Sequence, residues 1–236
     1  HWDHFVEEIP HPFIADFDGK ELANITDILE KEPFESPTLP LSGIEQLSWS
    51  PDGTKILYAS RKLTGVKYAF STNTDIYLYD IAAKTHENLT EGMMGYDTDP
   101  LFSPDGKSLA WISMERDGYE ADKKRLFIMN LESREKTELT TDYLYNIETI
   151  TWMADGSGLY FTSCVKALTG VYSVNLSDKA IRKVAEGQCD FDGVMLAGEK
   201  LITTYKSMSM PNEIVSINPA DGVFTQISFE NKHLLD

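Results

Sequence analysis

Residues 115–122 hold four carboxylates, Glu115, Asp117, Glu120 and Asp122, together with the phenol of Tyr119. Carboxylates gathered in one loop can neutralise an ammonium group, and charge of one sign in a cleft steers an oppositely charged ligand toward it. The same run also suits a loop that is merely solvated. Asp97 and Asp99 fall in or beside a second loop. Residues for covalent or metal chemistry are not assembled: there is no G-x-S-x-G elbow, no H-E-x-x-H pair and no glycine-rich phosphate loop. His1, His4, His11, His86 and His233 include no pair in a ligand context, although His1 and His4 stand three apart. Cys164 and Cys189 are the only cysteines, too few for a disulfide framework and wrongly spaced for a metal knuckle. They read as two buried free thiols, with a bridge between them as the alternative. No metal, cofactor or catalytic residue is expected in this chain.

The elements that must carry this loop announce themselves by repetition. Trp49-Ser50-Pro51-Asp52-Gly53 returns as Phe102-Ser103-Pro104-Asp105-Gly106 and, altered, as Trp152-Met153-Ala154-Asp155-Gly156, about fifty residues apart each time. Proline presets φ at the second turn position, Asp or Ser bonds the local backbone, and glycine accepts the positive φ that returns the chain. Each copy therefore joins two strands of one sheet, and the period predicts four-stranded blades arranged as a β-propeller. Ile76, Leu78 and Asp80 would face one side of a blade and Tyr77, Tyr79 and Ile81 the other, so both faces carry bulk, as blades sandwiched between neighbours require. Trp49, Phe102, Trp111 and Trp152 are expected in the core between blades.

The fold class expected is all-β: a partial propeller of four-stranded antiparallel blades over residues 1–236, with helix close to nil. An outer half-blade occupies 1–30, Asp27 to Ser42 forms a surface connection, and blades occupy about 44–90, 99–140, 147–185 and 191–228. Residues 229–236 would start a linker, and the half-blade with His1 at its head reads as a piece of something longer. Fourth strands are placed at Glu87–Thr90 and Thr137–Thr140, so the glycosylation-like Asn24-Ile25-Thr26 and Asn88-Leu89-Thr90 are attributed to sheet register. The loops after strands two and four emerge on one end of each blade. Arg61–Thr74, Glu91–Asp97, Glu115–Lys124, Thr141–Tyr145, Glu186–Asp190 and Lys206–Asn212 are those loops.

With 38 acidic against 21 basic residues the formal charge is −17, which argues against nucleic acid and anionic membrane as partners. No apolar run is long enough for a membrane span, and no signal peptide is visible.

Several stretches together resemble a known family. His1-Trp2-Asp3, His11-Pro12-Phe13-Ile14, the Ser-Pro-Asp-Gly turns, Phe70-Ser71-Thr72-Asn73-Thr74-Asp75-Ile76-Tyr77, Arg116-Asp117-Gly118-Tyr119-Glu120-Ala121-Asp122, Met208-Ser209-Met210-Pro211-Asn212-Glu213 and Phe229-Glu230-Asn231 look like the propeller of the prolyl oligopeptidase family of serine peptidases. The nearest branch is that of acylaminoacyl peptidases and dipeptidyl peptidase V, bacterial members of which carry the label dipeptidyl aminopeptidase IV. The resemblance implies a seven- or eight-bladed parent, followed by an α/β-hydrolase domain that carries the Ser-Asp-His triad. It implies short peptides as substrates, a secreted or periplasmic location, and a propeller that gates and selects without catalysing. The paired glutamates that hold a substrate amino terminus in true dipeptidyl peptidase IV are not recognisable, so dipeptidyl specificity is not implied.

A TolB-like periplasmic interaction propeller with no enzyme attached is the main rival. A propeller glycosidase or lyase ranks below it, because the inner strands offer apolar and hydroxyl side chains instead of paired carboxylates. Open blade edges would favour self-association.

Overall fold

The computed structural model describes residues 8–39 and 42–235; His1-Trp2-Asp3, His4, Pro40 and Asp236 lie outside the described residues. A hairpin of β1 (Phe13–Phe17) and β2 (Leu22–Asp27) comes first. Four sheets of four strands follow, each strand beside its neighbour in sequence. They are β3 (Leu47–Trp49), β4 (Lys55–Ser60), β5 (Asp75–Asp80) and β6 (Thr85–Asn88); β7 (Asp97–Phe102), β8 (Ser108–Ser113), β9 (Arg125–Asn130) and β10 (Lys136–Glu138); β11 (Thr149–Trp152), β12 (Gly158–Val165), β13 (Leu168–Asn175) and β14 (Ile181–Ala185); and β15 (Asp190–Ala197), β16 (Lys200–Ser207), β17 (Met210–Ile217) and β18 (Phe224–Gln226). Helix is confined to short turns, notably α1 (Val66–Phe70) between β4 and β5, and α2 (Lys232–Leu235). No helix among the described residues is long and apolar enough to cross a membrane.

The recurrent turn is built by its aspartate. In the first copy the Asp52 carboxylate accepts from the Ser50 hydroxyl at 2.7 Å and the Thr54 N–H at 3.0 Å, while Gly53 takes φ +69°. Ser103 and Asp105 repeat the contact at 2.6 Å. Where Met153 replaces the serine, the hydroxyl comes from the other side of the turn, Ser157 donating to Asp155 at 2.7 Å. These bonds hold the aspartates ionised: the Ser50 hydroxyl, then Thr54, bring the Asp52 pKa down to about 2.

By compactness the chain divides into two units, residues 1–102 with 113–122 and residues 103–112 with 123–236. In the first unit, Ile56, Tyr58, Tyr77 and Tyr79 on one face of the β3–β6 sheet pack with Ile28, Leu29 and Ile14. The other face, with Leu57, Ile76 and Leu78 buried, meets β7. The stretch 28–39 is thus only in part a surface connection: Glu30, Lys31 and Pro33 are exposed, but Ile28 and Leu29 are buried against the tyrosine face, and Ser36 is fully buried beside Glu35, whose carbonyl accepts from the Ser60 hydroxyl at 2.8 Å. In the second unit, Val171 and Ala185 pack with Phe191, Val194, Leu201, Val215 and Ile217.

Four local expectations are corrected. Ile44–Gln46 is a 3-10 turn and β3 starts only at Leu47, because the buried Gln46 amide turns inward to Thr38, Tyr96 and Thr98. β6 and β10 stop short of Thr90 and Thr140, whose buried hydroxyls accept the N–H of Ile76 and of Leu126, each at 2.9 Å, in place of a ladder bond. Trp49 is 56% exposed where Phe102, Trp111 and Trp152 are buried. With Ser48 and Ser50 facing inward, the period of two sends Trp49 outward. Both cysteines are free thiols, but only Cys189 is buried; Cys164, near the end of β12, is exposed.

Candidate functional site

The 115–122 loop leaves β8 and is fastened to the loop that carries α1. The Asp117 carboxylate accepts from the Ser71 hydroxyl at 2.6 Å and from the N–H groups of Thr72 and Asn73 at 2.9 and 3.2 Å. In return, the Gly118 N–H donates to the Thr72 hydroxyl at 2.9 Å. Gly118 takes φ +71°, which a side chain would strain, and a Cβ there would also press on the Phe70 carbonyl oxygen at 3.3 Å. Burial raises the Asp117 pKa, but the Ser71 hydroxyl and the N–H donors outweigh it and leave the carboxyl below its ordinary value.

Asp122 closes the loop on itself. Arg116 reaches it from Nη2 at 2.7 Å and from Nε at 3.2 Å, and the N–H groups of Glu115 and Arg116 donate to the same carboxylate. The Arg116 bonds, ahead of a smaller opposing effect of burial, lower its pKa to about 2. Arg116 also lies 3.9 Å above the Tyr119 ring, a cation–π contact that orders the phenol although it is 48% exposed. Asp117 and Asp122 therefore fasten the loop through their carboxylates, and Glu115, Asp117 and Glu120 all lie at its exposed surface.

The neighbouring loops are fastened too. Arg61 donates to the Ser71 carbonyl at 2.8 Å, lies 4.5 Å over the Tyr68 ring and faces Glu35, which also accepts from the Tyr68 hydroxyl. With its amide nitrogen turned toward the carbonyls, Asn73 donates to Met93 at 2.8 Å and to Gly95 at 3.0 Å. Asp97 belongs to β7 and is fully buried, so it is no loop carboxylate; the Thr74 hydroxyl donates to its carbonyl at 2.7 Å. The arrangement can present exposed carboxylates and an ordered phenol on a preformed loop. Sequence reading found Glu115–Asp122 but not the partners Ser71, Thr72 and Arg116. A Ser-Thr pair shortly before a strand, its hydroxyls free to serve a turn or a neighbouring loop, was the available signal.

Consecutive antiparallel four-stranded sheets, three of them with an Asp-Gly turn between their first two strands, are the blades of a β-propeller, and the chain belongs to the TolB beta propeller domain family, whose model matches residues 13–233. Within that class it is similar to dipeptidyl-peptidase 5 of Porphyromonas gingivalis, with 46% identity over 236 residues; the chain spans 34% of that relative's length. Two solved structures share its fold. Acylaminoacyl peptidase of Pyrococcus horikoshii superposes with a TM-score of 0.64 at 19% identity, over 94% of this chain and 31% of that one. TolB of Acinetobacter baumannii superposes with a TM-score of 0.63 at 21% identity, over 92% and 48%.

Proposed function

We propose that this chain is the propeller of a serine peptidase acting on short peptides, in which it gates access and selects substrate while a downstream α/β-hydrolase domain does the chemistry. The observation that carries the reading is the end-to-end similarity to dipeptidyl-peptidase 5, which is about three times longer than the matched stretch. A secreted or periplasmic location goes with it. A wall that excludes bulk water and folded protein strengthens electrostatics inside the enclosed cavity and restricts entry by size. The 115–122 loop supports the substrate-facing part of the proposal. Glu115, Tyr119 and Glu120 stand on a loop whose geometry is already set by Asp117 and Asp122, so little ordering entropy remains to oppose binding. Glu120 would meet the substrate ammonium directly, while Asp117 and Asp122 would hold the loop.

In the full-length protein, Glu120→Gln should raise KM for a dipeptidyl reporter with kcat unchanged. An unchanged KM removes Glu120 from the site. Turnover by residues 1–236 alone, blocked by a serine-directed inhibitor, would overturn the division of labour. Absence of a serine elbow with following Asp and His in the parent chain would favour an interaction propeller of the TolB kind instead.

A further inference from the structure

The last sheet contains a second carboxylate that gathers donors from outside its own strand. Glu213, near the start of β17, is 3% exposed. It accepts from the Ser228 hydroxyl, from the N–H groups of Glu230 at 3.3 Å and Asn231 at 2.8 Å, and from the Asn231 side-chain amide at 3.0 Å. The same amide donates to the Asn212 carbonyl at 3.0 Å, and the Ile214 N–H donates to the Ser228 hydroxyl at 2.7 Å. These donors to Glu213 lie in residues 228–231. The β17–β18 ladder itself is formed by Val215, Ser216 and Ile217 against Gln226, Thr225 and Phe224, and the N–H groups of Ile227 and Ser228 donate to the Ile214 carbonyl at 2.9 and 3.3 Å, so backbone bonds end at Ser228 and the Glu213 carboxylate carries the hold on to Asn231. What Glu213 holds is therefore the path of the chain after β18, not the sheet. A short backbone exit could have been left to water. Spending a buried charge on it, satisfied by an O–H and three N–H donors, fixes one direction for the segment leading into α2.

We infer that Glu213 is a positioning residue that sets the course of the chain as it leaves the last sheet, and thereby the placement of the catalytic domain relative to the propeller. The inference rests on the proposed function for the existence of that domain and for its position directly after this chain. The clamp on residues 228–231 does not depend on it.

The test uses the full-length protein with Glu213→Gln, which keeps the shape but removes the charge, Asn231→Ala, which removes one donor from the other side, and Glu199→Gln on an exposed turn as control. Limited proteolysis under native conditions should cut within 229–236 about fivefold faster or more in both clamp variants, with the unfolding midpoint close to that of the parent. Selectivity, measured as kcat/KM for a dipeptidyl reporter over that for a peptide of about ten residues, should fall about threefold or more, with Glu199→Gln unchanged. Cutting that stays at the parental rate overturns the clamp. Faster cutting with unaltered selectivity overturns the placement role. A parent with no peptidase activity sinks the proposed function, and proteolysis still decides the clamp. Should Glu213→Gln fail to fold, Asn231→Ala gives the same reading alone.

Discussion

The Ser71 hydroxyl donates to the Asp117 carboxylate at 2.6 Å, joining two loops that are 46 residues apart in the chain. Ser71 ends the turn begun by α1, and Asp117 stands beside the glycine that brings the second loop against the Phe70 carbonyl. A single acceptor group thus replaces what would otherwise be two independently moving loops.

Replacing Asp117 by alanine should free both. Hydrogen bonds to a charged group contribute about 1.5–3 kcal/mol each, but this site is exposed, so we expect about 1 kcal/mol in global stability. The larger effect should be local, with amide exchange at Thr72, Asn73 and Gly118 faster by about tenfold or more. Exchange at these amides equal to that of the parent would show that the loops are held by other contacts.

Acid should undo the same fasteners in a defined window. Asp122, at about 2, and Asp117, also lowered, have folded pKa values below those of the unfolded chain. Such groups contribute stability that is present above the unfolded value of about 3.9 and is lost as pH falls through the folded value. The 115–122 loop is therefore expected to keep its order at pH 5 and to lose it between about pH 4 and pH 2. Carboxyl carbon NMR titration of Asp122 measures this directly, and a midpoint near 4 would contradict the Arg116 fork.

Thr140→Val keeps the side-chain volume but leaves the Leu126 N–H without the hydroxyl it donates to at 2.9 Å. An unsatisfied buried donor costs about 1–3 kcal/mol, which denaturant unfolding resolves. Thr90→Val should do the same through Ile76. A neutral result at both positions would mean that the side-chain bonds do not substitute for the ladder.

The tryptophans separate by environment and not by motif. Trp111 is fully buried and stacks on Phe127 with ring centres 5.4 Å apart, so Trp111→Ala should cost about 3–5 kcal/mol. Trp49→Ala, at a residue 56% exposed, should change stability by about 0.5 kcal/mol or less. Equal losses in urea unfolding would refute the difference in packing.

The blades were legible because their signals are local. Three Asp-Gly turns at a constant spacing, each bounded by alternating apolar residues, specify hairpins through φ preferences and a period of two, neither of which needs knowledge of distant contacts. The errors fall where a distant partner competes with the local preference. The buried amide of Gln46 draws Ile44–Gln46 out of the strand, the hydroxyls of Thr90 and Thr140 stand in for ladder bonds, and the tyrosine face of the first sheet buries Ile28 and Leu29 in a stretch that read as a surface connection.

The candidate site divides in the same way. Composition by itself determined that Glu115, Asp117, Tyr119, Glu120 and Asp122 share one acidic loop between two strands of a blade, since residue type and turn spacing are properties of the chain alone. Only the tertiary structure decided that Asp117 gathers donors from residues 71–73 and Asp122 from Glu115 and Arg116, and that Glu213 reaches residues 228–231. A carboxylate carries the same charge whether it is solvated or surrounded by donors. Which of these it becomes depends on the N–H and O–H groups that folding brings within 3 Å of it from elsewhere in the chain.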